Sequence, residues 1–344
     1  MMTGLKSLIA LTVSLLVSWT ALADESPVAP FDEVAQRIER AMQAHLFDPR
    51  LMQSEAYLST QQAVAELAAK APTREAFVAG FNDIWRSGPF SHVRLAVAQQ
   101  SATALADYLD SMRIGSGGAV LTWENEIAIL TVNTMMGLDT IEEIDAAYEQ
   151  ITRAQAKALI IDLRSNQGGA FAIRPLIAHL LKQPLDPGAF VSSKFTVADG
   201  QYPSAEYVQT LPPWEGWSIK AFWATAEENA VTRIRFQPQQ PHYAGPVYVL
   251  ISNTTASAAE LAADALSASG RALLIGERSA GEMLSQKMYD VPLGLQISLP
   301  IADYYSFHSG RIEGKGIRPD LESPAQLALA VAVQRARKQP PPAE

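Results

Sequence analysis

The chain has 344 residues, a formal net charge of −9 and no cysteine, and 48% of its residues are hydrophobic. Without cysteine it has no disulfide, no thiolate nucleophile and no cysteine metal ligand. An acidic chain without basic clusters is not expected to bind nucleic acid, and its length is enough for roughly two domains.

Residues 1–23 have the pattern of a secretory signal peptide. Lys6 supplies a positive charge, Leu8 to Val17 form an apolar run, and Ala21-Leu22-Ala23 fits a cleavage site. We therefore expect export across the inner membrane to the periplasm and a mature chain that begins at Asp24. The alternative is an uncleaved N-terminal anchor. No later apolar run is long enough for a membrane span, so no stable membrane insertion is expected.

Residues 24–113 are predicted to form an N-terminal helical domain. Apolar residues recur there at three- and four-residue spacing, as in Phe31, Ala35, Ile38, Met42 and Leu46. The stretch GPFSHVRLAVA at 88–98 interrupts this pattern and favours a strand.

Residues 114–335 have a different pattern, in which short apolar strands alternate with helical segments. This alternation is typical of βαβ units and a largely parallel sheet. Residues 183–244 mix prolines, aromatics and charges, which fits either an irregular insertion over the active cleft or a simple strand pair. Residues 336–344 are predicted to be a flexible tail.

Three sequence blocks within this core contain candidate catalytic residues. ALIIDLRSNQGG, at 158–169, ends in Gly168 and Gly169, and paired glycines let backbone N–H groups face a ligand. VYVLISNTTASAAE, at 247–260, has Ser257 where a strand turns into a helix. Ser257 with Glu260 fits a capping box, so Ser257 is either a helix cap or a nucleophile. RIEGKGIRPD, at 311–320, contains Glu313. No metal-binding motif or phosphate loop is present.

Together these blocks resemble the tail-specific (C-terminal processing) and tricorn family of serine peptidases, whose fold the interphotoreceptor retinoid-binding protein shares. The resemblance covers about residues 115–330. It implies an α/β fold with a crotonase-like or Clp-protease-like core, peptide or protein substrates and no cofactor or metal. It also implies that Ser257 is the nucleophile, with oxyanion donors at Gly168 or Gly169 and at Ala258.

The general base distinguishes the two branches of the family. The tail-specific branch has a lysine about 25 residues after the serine, but Glu282 stands at that place here, and Lys287 lies five residues further on. The tricorn branch has a histidine preceded by a serine, and a glutamate before G-x-x-P-D. Ser91-His92 and Glu313 match both features.

The resemblance therefore implies a secreted serine endopeptidase or carboxyl-terminal processing peptidase with a Ser257–His92–Glu313 triad and Ser91 as an accessory group. His308 is a rival base because it is closer in sequence to Glu313. Two other hypotheses remain: a Ser-Lys dyad that uses Lys287, and a non-catalytic binding protein for apolar ligands. Only some twenty residues follow His92 before the core, too few for the peptide-binding PDZ domain of many relatives. Substrate choice is then expected from the helical domain or from residues 183–244.

Overall fold

The computed structural model describes residues 31–195, 202–216 and 218–338. The predicted signal peptide lies outside the described residues. The helices are α1 (Asp32–His45), α2 (Glu55–Lys70), α3 (Arg74–Trp85), α4 (Ala102–Ser111), α5 (Leu138–Arg153), α6 (Ile173–Ala178), α7 (Ala205–Thr210), α8 (Ile219–Glu228), α9 (Ala258–Ala268) and α10 (Ala325–Lys338). The strands are β1 (Arg94–Val97), β2 (Ala119–Glu124), β3 (Ile127–Val132), β4 (Ala158–Asp162), β5 (Leu185–Ser192), β6 (Pro213–Trp214), β7 (Val231–Phe236), β8 (Val247–Ile251), β9 (Leu273–Gly276), β10 (Leu284–Val291), β11 (Leu295–Ser306), β12 (Gly310–Arg311) and β13 (Leu321–Glu322).

One sheet has the strand order β13-β9-β8-β4-β3-β2, and only the β2–β3 pair in it is antiparallel. Strands β4 and β8 lie at its centre and are buried at every residue, as uninterrupted apolar strands require. Leu159 and Ile161 pack with α5, α6 and α9 on one face, whereas Ala158 and Ile160 pack with α10 on the other. The predicted α/β class is confirmed.

The second sheet is built on the long strand β11, which pairs with β1, β5, β10 and β12. Strand β5 continues the sheet through β7 to β6. Helices α1, α2 and α3 share a hydrophobic core with β10 and β11, in which Phe77 and Phe81 accompany Leu295 and Ile297. Because β1 is also a strand of this sheet, the N-terminal segment packs directly onto the core.

The described part of residues 183–244 combines the two arrangements expected for it, a strand pair and a segment that lines the cleft. Strands β5 and β7 pair antiparallel, and α7, β6 and α8 lie between them in the chain. At the other end, α10 continues to Lys338, so residues 336–338 of the predicted tail are helical. Alanine-rich helical turns there pack against β8 and β9, and Ala332 and Ala336 are buried. None of the helices in the described ranges is long and apolar enough to span a membrane.

Candidate active site

Ser257 lies where β8 turns into α9, and its backbone is unusual. Its φ is +56°, a conformation that residues with a Cβ adopt rarely and that is enriched at functional sites. Its N–H donates to Glu260 Oε2 at 3.0 Å, but its hydroxyl makes no capping hydrogen bond. Ser257 and Glu260 have the arrangement of the predicted capping box, but the Ser257 hydroxyl makes no side-chain cap hydrogen bond and is therefore available for another role.

The glycine pair lies directly against this serine. A Cβ on Gly168 would be 2.6 Å from Ser257 Cβ and 3.1 Å from the Ala258 nitrogen, so only glycine fits there. The N–H of Gly168 already donates to Asn166 Oδ1 at 2.8 Å. Of the predicted oxyanion donors, the amides of Gly169 and Ala258 are therefore the better candidates.

Asn166 is a supporting residue that the sequence interpretation did not single out. It is fully buried, and its Nδ2 donates to the Val132 carbonyl at 2.9 Å, which ties the glycine turn to the end of β3. Its own carbonyl accepts the N–H of Ala256 at 3.0 Å, the residue before Ser257. Asn166 thus joins the glycine turn to the serine turn. Its place two residues before a glycine pair is a usable sequence signal, because asparagine often bonds the backbone two residues on.

His92 also has a left-handed backbone, with φ of +65°. Its Nδ1 lies 2.6 Å from the Ser91 hydroxyl oxygen. Burial lowers the pKa of His92 below its ordinary value, and the nearby negative charge of Glu313 opposes this shift. The imidazole is thereby favoured in its neutral form, which is the form that can accept a proton.

Glu313 is buried and makes no hydrogen bond or ion pair with the imidazole, although it was expected to orient the ring. Its Oε1 accepts the N–H of Ser91 at 3.1 Å, and its Oε2 accepts the N–H of Met283 at 2.6 Å. The group that bonds the His92 ring is the Ser91 hydroxyl. Glu313 therefore acts on His92 through its charge and through the backbone that carries the histidine.

A cavity of about 640 Å³ brings these groups together: Ser257, His92, Gly168, Gly169 and Ala258 all line it. Of the five non-glycine residues with positive φ in the described part of the chain, Ser257 and His92 are the two in this cavity. Much of its wall is aromatic and comes from the segment 183–244, through Phe190, Trp214, Phe222, Trp223 and Phe236.

The rival bases lie elsewhere. Lys287 is on β10 between Gln286 and Met288; those two line the cavity, while Lys287 does not. Side chains alternate along a strand, and Lys287 Nζ is paired with Glu227 Oε2 at 2.5 Å. His308 is exposed in the turn after β11 and is not part of the cavity wall. Within residues 31–195, 202–216 and 218–338, no cluster of three or more acidic or histidine side chains is arranged to hold a metal ion.

Known proteins share sequence and fold with this chain. The profile of Peptidase family S41 matches residues 126–323. The chain is 27% identical over 184 residues to the chloroplastic C-terminal processing peptidase of Tetradesmus obliquus, covering 54% of this chain and 32% of that protein. It is 25% identical over 228 residues to the tail-specific protease of Haemophilus influenzae, covering 62% of this chain and 28% of that protein. The chain thus spans about a third of the length of these relatives.

Two solved structures share the fold over most of their length. One is a lipoprotein from Streptococcus agalactiae, with a TM-score of 0.54, 16% identity and coverage of 89% of this chain and 96% of that one. The other is the photosystem II D1 C-terminal processing protease, with a TM-score of 0.51, 15% identity and coverage of 86% and 93%. Since the profile match takes in more than half of its residues, this chain belongs to Peptidase family S41.

Proposed function

We propose that this protein is a serine peptidase in which Ser257 is the nucleophile, His92 the general base and Glu313 the acid that supports it. One observation carries the proposal. The two non-glycine residues with strained backbone that share a cavity are a serine whose hydroxyl makes no cap hydrogen bond and a histidine whose pKa is lowered by burial. A nucleophile and a neutral base that face one cavity are the groups that acyl transfer needs.

The reaction follows from these groups. The Ser257 oxygen attacks the peptide carbonyl carbon while His92 Nε2 takes the hydroxyl proton. The carbonyl oxygen becomes an oxyanion, which the N–H groups of Gly169 and Ala258 stabilise. The C–N bond then breaks, and His92 returns the proton to the leaving amine. Water attacks the acyl-enzyme in the same way and releases Ser257.

The contact with Ser91 is compatible with the tautomer that this reaction requires. For Nε2 to accept a proton, Nδ1 must carry the ring hydrogen, and Nδ1 then donates to the Ser91 hydroxyl oxygen 2.6 Å away. Glu313 holds the Ser91 N–H, and its charge favours the imidazolium that forms during attack. Ser91 and Glu313 are in this proposal the positioning pair behind His92.

The cavity wall favours substrates with a large apolar side chain next to the cleaved bond. Phe190, Trp214, Phe222 and Trp223 offer it aromatic surface, and the described residues that line the cavity include no lysine or arginine. The same apolar wall is the observation that favours the second candidate, a non-catalytic binder of apolar ligands. Cleavage of a peptide library tests the substrate preference: enrichment of charged residues at the cleaved bond would contradict it.

Labelling with a fluorophosphonate separates the two candidates. A peptidase should form a covalent adduct on Ser257, located by mass spectrometry of the digested protein, because the reagent needs an activated hydroxyl. Prior denaturation should abolish labelling. A folded wild-type protein that stays unlabelled at Ser257 would favour the binder.

The pH dependence tests the base. Attack requires neutral His92, and burial lowers its pKa, so kcat/KM should rise with pH through a limb below about pH 6.5. Glu313→Gln removes the charge that raises this pKa, so the limb should move to lower pH while the maximal rate falls. Glu66→Gln, an exposed acid paired with Lys70, is the control and should leave the limb in place. An unchanged limb and rate in Glu313→Gln, or a wild-type limb above about pH 8, would contradict the assignment.

We also propose that residues 1–23 direct export and that the peptidase acts in the periplasm. The charge, apolar run and cleavage site of that segment support this. N-terminal sequencing of exported protein tests it, with Asp24 as the expected first residue.

A further inference from the structure

A second buried carboxylate, that of Glu260, lies behind the proposed nucleophile. It is fully buried in the first turn of α9 and accepts four hydrogen bonds. Oε1 accepts from the Ser279 hydroxyl at 2.6 Å and from the Gly281 N–H at 2.8 Å. Oε2 accepts from the N–H groups of Ser257 and Glu282, each at 3.0 Å. A capping box accounts for only the Ser257 bond, whereas the other three come from a separate segment, residues 279–282.

This segment leads directly to the carboxylate behind the proposed base. The N–H of Glu282 donates to Glu260, and the next N–H, that of Met283, donates to Glu313. Glu313 in turn accepts the N–H of Ser91, whose hydroxyl bonds His92. The strained backbones at the nucleophile and at the base are thus connected through two carboxylates that bond consecutive amides of one chain segment.

We propose that Glu260 is a positioning residue for catalysis, which sets the Ser257 hydroxyl relative to His92 through the segment 281–283. This inference rests on the proposed function of Ser257. The physical basis is that a reacting atom displaced by about 1 Å costs on the order of a hundredfold in rate. Glu260 fixes the Ser257 N–H in a backbone conformation that serine rarely adopts, and Glu313 fixes the residue before His92 against the same segment.

Glu260→Gln tests the proposal because the amide is nearly isosteric but turns one acceptor atom into a donor. In either orientation the NH₂ group faces at least one backbone N–H. We expect kcat to fall about 10- to 100-fold with KM within twofold of wild type. We expect the same loss in the rate of fluorophosphonate labelling at Ser257, measured per folded molecule with the folded fraction taken from thermal melts.

Asp264→Asn is the matched control. Asp264 is equally buried, lies one turn further along α9 and accepts a hydrogen bond from the Ser309 hydroxyl, and it makes no hydrogen bond to the segment 281–283. Its replacement should lower the melting temperature and leave the labelling rate per folded molecule within twofold. Both acids are buried, so the comparison separates a loss of stability from a loss of positioning.

A double-mutant cycle of Glu260→Gln with Glu313→Gln measures whether the two acids affect the labelling rate together. A purely structural role of Glu260 would give no such coupling. Since both acids act on one segment, the combined loss in labelling rate should be smaller than the product of the two single losses. If Glu260→Gln does not fold, Ser279→Ala, which removes one of its four donors, should still slow labelling about threefold or more.

Labelling of Glu260→Gln at the wild-type rate per folded molecule would overturn the inference and leave the proposed function intact. The inference would also be overturned if the double variant lost labelling rate by the full product of the two single losses. Failure of the wild-type protein to label at Ser257 would instead remove the proposed function, so the two failures are distinguishable.

Discussion

Replacing Ser257 by alanine should abolish turnover without unfolding the protein. If Ser257 is the nucleophile, kcat should fall by on the order of 10⁵- to 10⁶-fold, as when the nucleophile of a serine protease is removed. The fold should tolerate the change because the hydroxyl makes no capping hydrogen bond, whereas the Ser257 N–H that bonds Glu260 remains. Peptide hydrolysis and a thermal melt of the same preparation measure both effects.

Ser257→Thr is the control for this experiment. Threonine keeps a hydroxyl, but its β-branched side chain is poorly compatible with a positive φ and with the contact to Gly168. We therefore expect activity at least a hundredfold below wild type and a lower melting temperature than for alanine. Hydrolysis at a near-wild-type rate by well-folded Ser257→Ala would refute the nucleophile assignment.

The regular elements of the core could be read from the sequence because their signals are local. The run AVLTWE forms β2 at Ala119–Glu124, and the apolar runs at 158–162 and 247–251 form the two central strands. No local pattern predicted strand β10. Its residues LSQKMYDV are mostly half-buried, and its place is fixed by pairing with β11, an interaction that no local pattern reveals.

The site could be predicted only in part, for a similar reason. The motifs singled out Ser257, Ser91, His92, Glu313, Gly168, Gly169 and Ala258, and the structure gathers them around one cavity or bonds them to its wall. The hydrogen-bond partners of Glu313 could not be predicted, because nothing in the local sequence of a turn shows which backbone N–H groups will donate to its carboxylate. Ser91 is 222 residues away from Glu313 in the chain.

The role of Glu260 as a helix cap was predicted from local spacing, but its hydrogen bonds to a distant segment were not. The spacing Ser257-x-x-Glu260 satisfies the capping-box pattern. That pattern requires only that the glutamate accept the N–H of Ser257, and it predicts no other partner. In the structure the same carboxylate also binds Ser279, Gly281 and Glu282. A capping residue with no exposed surface is the structural sign that its role extends beyond the helix.

The aromatic cavity wall formed by the segment 183–244 could not be predicted from the sequence. Its aromatic residues are spread over β5, β6, α8 and β7, and no regular spacing links them. They meet only because β5 and β7 pair and because α8 packs across them, with Phe222 against Phe190 and Trp214. The sequence left open an irregular insertion over the cleft or a simple strand pair, and neither expectation included an aromatic wall.

The second large effect should separate His92 from Lys287. His92→Ala removes the proposed base, so kcat should fall by on the order of 10⁵- to 10⁶-fold. Because the nucleophile and base act as one unit, the double variant with Ser257→Ala should be no less active than either single variant. Lys287→Ala should keep activity within about threefold, since its ammonium is paired with Glu227 and does not line the cavity. Its loss should cost at most about 1 kcal/mol of stability, as for a partly exposed ion pair.

The comparison is decisive because the two hypotheses predict opposite results in the same assay. A Ser-Lys dyad requires a lysine that loses its proton beside the serine, whereas Lys287 does not line the cavity and its Nζ is paired with Glu227 Oε2 at 2.5 Å. Fluorophosphonate labelling should follow turnover, being lost in His92→Ala and retained in Lys287→Ala. Activity retained in His92→Ala together with activity lost in Lys287→Ala would overturn the triad. The base would then have to reach Ser257 by a rearrangement of β10 that breaks the Lys287–Glu227 pair.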